Sequence, residues 1–291
     1  MGPRVTVPAT SANLGPGFDA FGVALDIHLT VTVMPREQRR IVPVGEGEGE
    51  LPTGDSSLVW HALLRYCARF GVETPEVSLH ADNAIPLERG LGSSAAAAVA
   101  GVALGRALTR GGGRDQDLID FAAELEGHAD NAAAAVLGGL VVCHDGVAVR
   151  LDPTDRLAPV LCVPTDRQST EAARGILPDA ITLRAAAANG ARAAVVLAGL
   201  AGTIAWDPSA MRDVLHEPAR LELMAPSGGL VRALRAAGLG ACLSGAGPSV
   251  LAVVENGATA AVETIRKAAG REFDVRPSRW DRAGATVHRR T

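Results

Sequence analysis

Lysine is almost missing from this chain. Lys267 is the only one among 28 basic residues, and it lies in a helical-looking stretch near the C-terminus. A Walker A loop needs Gly-Lys-Ser/Thr, and a protein kinase needs a lysine on its third strand. Neither architecture fits. Cysteine is sparse too. Cys67, Cys143, Cys162 and Cys242 form no Cys-x-x-Cys pair and have no histidine at ligand spacing, which leaves them as small buried hydrophobes. Aromatics are only 3% of the 291 residues, so the core must come from small side chains and closely approaching backbones. No apolar run reaches the roughly 20 residues that span a bilayer, and residues 1–10 lack the apolar stretch of a secretory leader. A net charge of -4 gives no general attraction to nucleic acid or an anionic membrane. The expectation is a cytoplasmic enzyme with small-molecule partners, no nucleic acid and no membrane.

The hydrophobic pattern is α+β in two parts. Alternation predicts strands at 4–7, 29–34, 77–80, 140–144, 148–151, 159–163, 240–244, 249–254 and 284–288. Helical spacing predicts helices at 57–70, 93–109, 115–126, 169–175, 183–201, 211–215, 230–237 and 257–269. Residues 8–17 read as a loop, 45–54 as an acidic, turn-rich connection, and 111–113 as the glycine stop of the second helix. Two prolines and three charges at 152–159 mark the boundary, giving domains 1–152 and 153–291.

Four segments carry candidate chemistry. Gly90-Leu91-Gly92-Ser93-Ser94 leads into an alanine-rich helix. Glycines let backbone approach a ligand closely, and a helix N-terminus offers free N–H groups and its positive dipole end. A phosphate loop and an ordinary Ser-capped helix both satisfy that pattern. Asn13 and Asp19 sit on a loop that suits either ligand contacts or an Asx-turn. Ser244-Gly245-Ala246-Gly247-Pro248-Ser249 reads as a turn between apolar strands, and Glu126-Gly127-His128-Ala129-Asp130-Asn131 is a dense polar cluster after a helix.

In order, 8–19, 90–97 and 244–249 resemble the three signature motifs of the GHMP small-molecule kinases. Within that superfamily the chain is similar to the homoserine kinase family, on further segments. These are 10–15 with 17–22, His128-Ala129-Asp130-Asn131 through Gly139, Ser169-Thr170-Glu171-Ala172-Ala173-Arg174 with Leu177-Pro178, and His216-Glu217-Pro218-Ala219-Arg220. The resemblance implies a two-domain α+β fold. Its N-terminal domain would be like domain 2 of ribosomal protein S5, with a left-handed crossover, and its C-terminal domain ferredoxin-like. It implies ATP, Mg²⁺ and L-homoserine as ligands, in threonine biosynthesis, and a homodimer as a family expectation.

Residue by residue, the resemblance places Pro86, Leu87, Glu88, Arg89, Gly90, Leu91, Gly92, Ser93, Ser94, Ala95 and Ala96 around the nucleotide. Ser94 and Glu126 would hold the metal, with Glu124 a competitor for the second place. Asp19 would take the substrate ammonium, and Thr170, Arg174 and Arg220 its carboxylate, for which the planar guanidinium fork is suited. Asn13, His128 and Asn131 would lie at the attacking hydroxyl as catalytic residues, with Asp130 adjacent as an alternative base. Ser57-Leu58-Val59 departs from the Asn-Leu-Val of many relatives near the adenine, which leaves the adenine contacts open. A relative acting on mevalonate would have no ammonium for Asp19. A non-catalytic binding protein would have no use for the Ser94–Glu126 pair.

Overall fold

The computed structural model describes residues 2–34, 38–109 and 114–288, so the expected glycine stop at 111–113 lies outside the described residues. Two sheets organise the chain. The first has seven strands and is centred on an antiparallel pair, β1 (Arg4–Ala12) and β2 (Phe21–Met34). Both run further than alternation predicts. Residues 8–12, expected as loop, are strand, and all five are buried. A strand covered on both faces and built from Ala, Thr and Ser has no alternation to read. The pairing register shifts between Pro8 and Ala9, where proline interrupts the ladder.

β3 (Arg40–Gly45), not anticipated from the sequence, lies parallel to β4 (Ser78–Asn83), which pairs with the second half of β2. The first residues of β2 pair with β5 (Leu140–His144), and β5 turns into β6 (Val147–Leu151). Parallel neighbours need a crossover, supplied by α1 (Leu58–Phe70). The Ser57 hydroxyl caps α1 by accepting from Trp60 N at 3.2 Å, and Gly71 ends it in the left-handed region. α2 (Ser93–Thr109), α3 (Asp115–Glu126) and α4 (Asp130–Leu137) complete this half. The scarcity of aromatics has its consequence here. α1 and α2 approach so closely that a Cβ on Gly101 would strike the Val59 carbonyl.

The second sheet contains β7 (Leu157–Pro164), β8 (Gly240–Leu243), β9 (Val250–Glu255) and β10 (Phe273–Pro277), in the order β10-β7-β9-β8 and antiparallel throughout. Between β7 and β8 run α5 (Thr170–Arg174), α6 (Leu183–Leu200), α7 (Glu217–Leu223) and α8 (Ala225–Ala236). α9 (Thr259–Ala269) joins β9 to β10. Counted within the sheet this is 4-1-3-2 with helical connections after the first and third strands, a ferredoxin-like arrangement.

The helix expected at 211–215 does not form. A 3-10 turn, Pro208–Met211, ends there. Asp213 Oδ2 instead accepts from the backbone N–H groups of Leu215 (2.9 Å), His216 (2.6 Å) and Glu217 (2.8 Å), and so fixes the entry to α7. The chain's end departs from a simple two-part division. β11 (Thr286–His288) returns to the first sheet and pairs with β1. The return is anchored at Trp280, whose indole N–H donates to the Leu157 carbonyl at 2.8 Å. Among the described residues no helix is long and apolar enough to cross a membrane.

Candidate active site

Three loops, far apart in sequence, are tied by backbone groups over the start of α2. Thr10 N donates to Leu91 O (3.0 Å), Gly245 N to Ala12 O (3.1 Å), and Ser249 N to Arg89 O (3.3 Å). Ser244 Oγ donates to Gly90 O (2.7 Å) and touches Ser11 Oγ (2.8 Å). The 244–249 segment, which looks like a plain turn in the sequence, is therefore the floor of the 90–94 loop. Gly90 has φ 71 and a Cβ there would meet the Ser244 and Gly247 carbonyls, so only glycine fits. Backbone strain gathers at this place. Asn13, Leu14, Asp19 and Glu88 are non-glycine residues with φ between 49 and 69, and three of them line the cavity that the loops enclose.

That cavity has a volume of about 460 Å³. Pro86, Glu88, Arg89, Gly90, Leu91, Gly92, Ser93, Ser94 and Ala95 line it, as do Asn13, Asp19, Glu126, His128, Asn131, Thr170, Arg174 and Arg220. Two of the expected residues stand elsewhere. Leu87 faces a second cavity, and Ala96 packs into the hydrophobic core.

Ser94 and Glu126 meet across the mouth of α2, the serine hydroxyl donating to Glu126 Oε1 at 2.6 Å. Burial raises the Glu126 carboxyl above the ordinary carboxylate range, against the opposing pull of that hydrogen bond. A desolvated carboxylate beside a hydroxyl calls for a cation or a proton, and an oxygen-only pair suits Mg²⁺ completed by phosphate and water oxygens. Glu124 is engaged on the surface, accepting from Arg69 Nη1 at 2.8 and 3.0 Å. Glu124→Gln is expected to leave turnover within about twofold, since exposed pairs contribute little; steady-state kinetics checks this.

The cluster after α3 is ordered by Asp130, which is buried. Its Oδ1 accepts from Asn131 N (2.7 Å) and Asn131 Nδ2 (3.2 Å), while Asn131 Oδ1 accepts from Thr10 Oγ1 (2.7 Å). The Asn131 amide is thus fixed in one orientation. A Cβ on Gly92 would collide with the Thr10 hydroxyl, so the 90–94 loop and this amide depend on the same small residue. His128 Nδ1 lies 3.4 Å from Asp130 Oδ1 and off the line of a hydrogen bond. The contact with Asp130 raises the pKa of His128, with burial opposing. Asn13 has a supporting task as well: its Nδ2 donates to Gly245 O (2.8 Å) and its Oδ1 accepts from Asp19 N (3.1 Å), which joins the first and third loops.

Across the cavity, Arg174 and Asp19 form a bidentate pair at 3.0 and 2.9 Å. Arg174 is delivered by α5, capped by Ser169 Oγ accepting from Ala172 N at 3.3 Å. Arg220 differs in kind. It is only 2% exposed, and no carboxylate lies within ion-pair distance of it among the described residues. Its Nε donates to Ala173 O (3.1 Å) and its Nη1 to His216 Nδ1 (3.1 Å). Burial lowers the His216 pKa, which leaves a neutral ring. His216 Nε2, 3.0 Å from Gly15 O, must carry the proton there, and Nδ1 is then free to accept from Arg220. Burial, then the neighbouring charge of Arg174, lowers the pKa of Arg220 from its ordinary value. A buried cation at the wall of a cavity, with no carboxylate within ion-pair distance among the described residues, is a ready-made anion site.

The second cavity, about 250 Å³ in volume, shares Glu88, Ser93 and Ser94 with the first. Apolar side chains, among them Leu29, Ile41, Pro43, Leu51, Leu58 and Leu87, make most of its wall. Ser57 and Leu58, from the departing Ser-Leu-Val, lie in it, and the Ser57 hydroxyl is already used as the α1 cap. Gln168 and Ser169, also missed from the sequence, join the wall of the larger cavity.

Residues 57–139 match the family model described as GHMP kinases N terminal domain, and residues 182–271 match GHMP kinases C terminal. The homoserine kinase of Streptomyces coelicolor is 39% identical over 292 residues, covering 98% of this chain and 94% of its own. That of Moorella thermoacetica is 40% identical over 86% of each chain. The crystal structure of homoserine kinase from Cytophaga hutchinsonii superposes with a TM-score of 0.84 at 30% identity, covering 99% of this chain and 98% of that one.

Proposed function

This chain belongs to the GHMP kinase family, among its homoserine kinases, and from that premise we propose that it transfers the γ-phosphoryl group of ATP to the side-chain hydroxyl of L-homoserine. The products are O-phospho-L-homoserine, ADP and a proton. The observation that carries the substrate assignment is Arg220, a buried guanidinium facing the cavity with no carboxylate of its own. Beside it the Asp19–Arg174 pair offers one charge of each sign, which matches a zwitterionic amino acid, whereas mevalonate, a carboxylate without an ammonium, would leave Asp19 unmatched. The substrate carboxylate accepts from Arg220 and Arg174, and Asp19 takes the ammonium.

The phosphates lie along 90–94 at the N-terminus of α2, and the adenine occupies the apolar cavity around Leu58 and Leu87. Ser94 and Glu126 hold Mg²⁺, which neutralises charge on the β- and γ-phosphates when bound. Phosphoryl transfer asks little covalent chemistry of the protein, so the work is positioning and charge stabilisation. Asn131 orients the hydroxyl and cannot accept its proton, which passes to the transferred phosphoryl group. The enzyme is cytoplasmic and acts as a homodimer.

Coupled ADP release with L-homoserine, L-serine, L-threonine and mevalonate tests the assignment. Turnover with L-homoserine well above the others is expected, and turnover with mevalonate alone would refute it. The two candidates for the attacking hydroxyl's partner separate by mutation. Asn131→Ala is expected to lower kcat about 10²-fold through lost alignment. Asp130→Asn keeps an oxygen that can accept from Asn131 N, so its loss is expected to stay below about tenfold. The reverse ranking would make Asp130 the base.

A further inference from the structure

Phe18 immediately precedes Asp19 and does not line the cavity, yet its ring touches three groups that shape the substrate half. The guanidinium carbon of Arg174 lies 5.7 Å from the ring centroid, and that of Arg220 lies 5.6 Å from it. The His216 imidazole stacks on the ring, with centroids 5.2 Å apart and planes 25° from parallel. Two guanidinium groups that converge on one anion repel each other while the anion is away. An aromatic face attracts both, because its quadrupole places negative charge over the ring.

The other restraints on the two arginines are unequal. Arg220 is held from behind by the Ala173 carbonyl and His216. Arg174 is held by Asp19, the same carboxylate that receives the substrate ammonium in the reading above. Once Asp19 turns to the ammonium, Arg174 loses its bidentate partner. The Phe18 ring is then the contact that keeps it over the site.

We propose that Phe18 is a positioning residue for the amino-acid carboxylate, its ring holding Arg174 and Arg220 converged while Asp19 exchanges Arg174 for the substrate ammonium. This rests on the assignment of L-homoserine as substrate. It also separates the ring's role from simple space filling, since leucine fills much of the same space without a π face.

The test compares wild type, Phe18→Leu and Phe18→Tyr with L-homoserine and with 3-aminopropan-1-ol, which is homoserine without its carboxylate. Phe18→Leu is expected to raise KM for L-homoserine roughly tenfold, with kcat and KM for ATP within about twofold of wild type. The preference in kcat/KM for L-homoserine over 3-aminopropan-1-ol should fall by the same factor. Phe18→Tyr, which keeps the ring, should restore both. An unchanged preference in Phe18→Leu overturns the proposal, as does equal damage in the leucine and tyrosine variants. A parallel loss of kcat and of ATP binding marks a structural role and also overturns it. A wild type that fails to phosphorylate L-homoserine overturns the substrate assignment and the proposal with it, so the two failures are told apart.

Discussion

Arg220→Met is expected to lower kcat/KM for L-homoserine by about 10²–10³, the range seen when one partner of a buried, hydrogen-bonded charge pair is truncated. Methionine keeps much of the length of the side chain and removes the charge. Arg220 has no carboxylate within ion-pair distance among the described residues, and in the proposed function the substrate carboxylate is the anion that its charge serves. With 3-aminopropan-1-ol the same variant should lose little, because no carboxylate is left to recognise. KM for ATP should hold, since among the described residues Arg220 bonds to Ala173, His216 and Gly245 and to no residue of 90–94. Equal losses on both substrates would mean that Arg220 acts by supporting Ala173 and Gly245, to whose carbonyls it donates, and would remove the carboxylate role. Arg220→Lys should also be poor, because an ammonium cannot keep Nε on Ala173 and Nη1 on His216 while reaching an anion.

Glu126→Gln is expected to lower kcat on the order of 10²–10³-fold, with a raised Mg²⁺ requirement that titration of activity against free Mg²⁺ would reveal. Stability should move the other way. Burial raises the folded-state pKa of Glu126 above its unfolded value of 4.5. Its contribution to stability is therefore fully present below that unfolded value and is lost as pH rises through the raised folded value. Above the raised folded value and without metal, the ionised carboxylate opposes folding. Glutamine can still accept from Ser94, so thermal melting of the metal-free variant should occur at the wild-type temperature or above it. Wild-type kinetics, or a clear drop in metal-free melting temperature, would show that Glu126 is a structural acceptor for Ser94.

Much of the fold was legible because its helices carry strong local signals. α2 and α3 begin and end where alanine runs, serines and charged first turns say they should. The gaps have physical causes. Residues 8–12 are a strand without alternation, since small residues covered on both faces leave no period of two. β10 is short and only partly buried, so its pattern carries little information. The segment 211–215 has helical spacing, but the Asp213 carboxylate takes the backbone N–H groups first. Glu124 and Glu126 sit at nearly the same distance from the polar cluster in sequence. Two residues along a helix rotate a side chain by more than half a turn, and so one finds Arg69 and the other Ser94.

The sequence by itself determined the chemistry. A lone lysine excluded two kinds of phosphate site, glycines at 90 and 92 allowed a backbone in close approach, and the ordered motifs resembled one superfamily and, within it, one substrate. Those are properties of residue type and spacing, which the chain carries before it folds. The resemblance had already singled out Arg174 and Arg220 among the many arginines; the tertiary structure decided what surrounds each. Arg220 is set apart by burial and by having no carboxylate within ion-pair distance among the described residues, Arg174 by its bidentate pairing with Asp19, and both by a shared ring at Phe18. Burial and the absence of a counter-ion depend on what else arrives nearby from distant parts of the chain. No reading of neighbours along the sequence contains them.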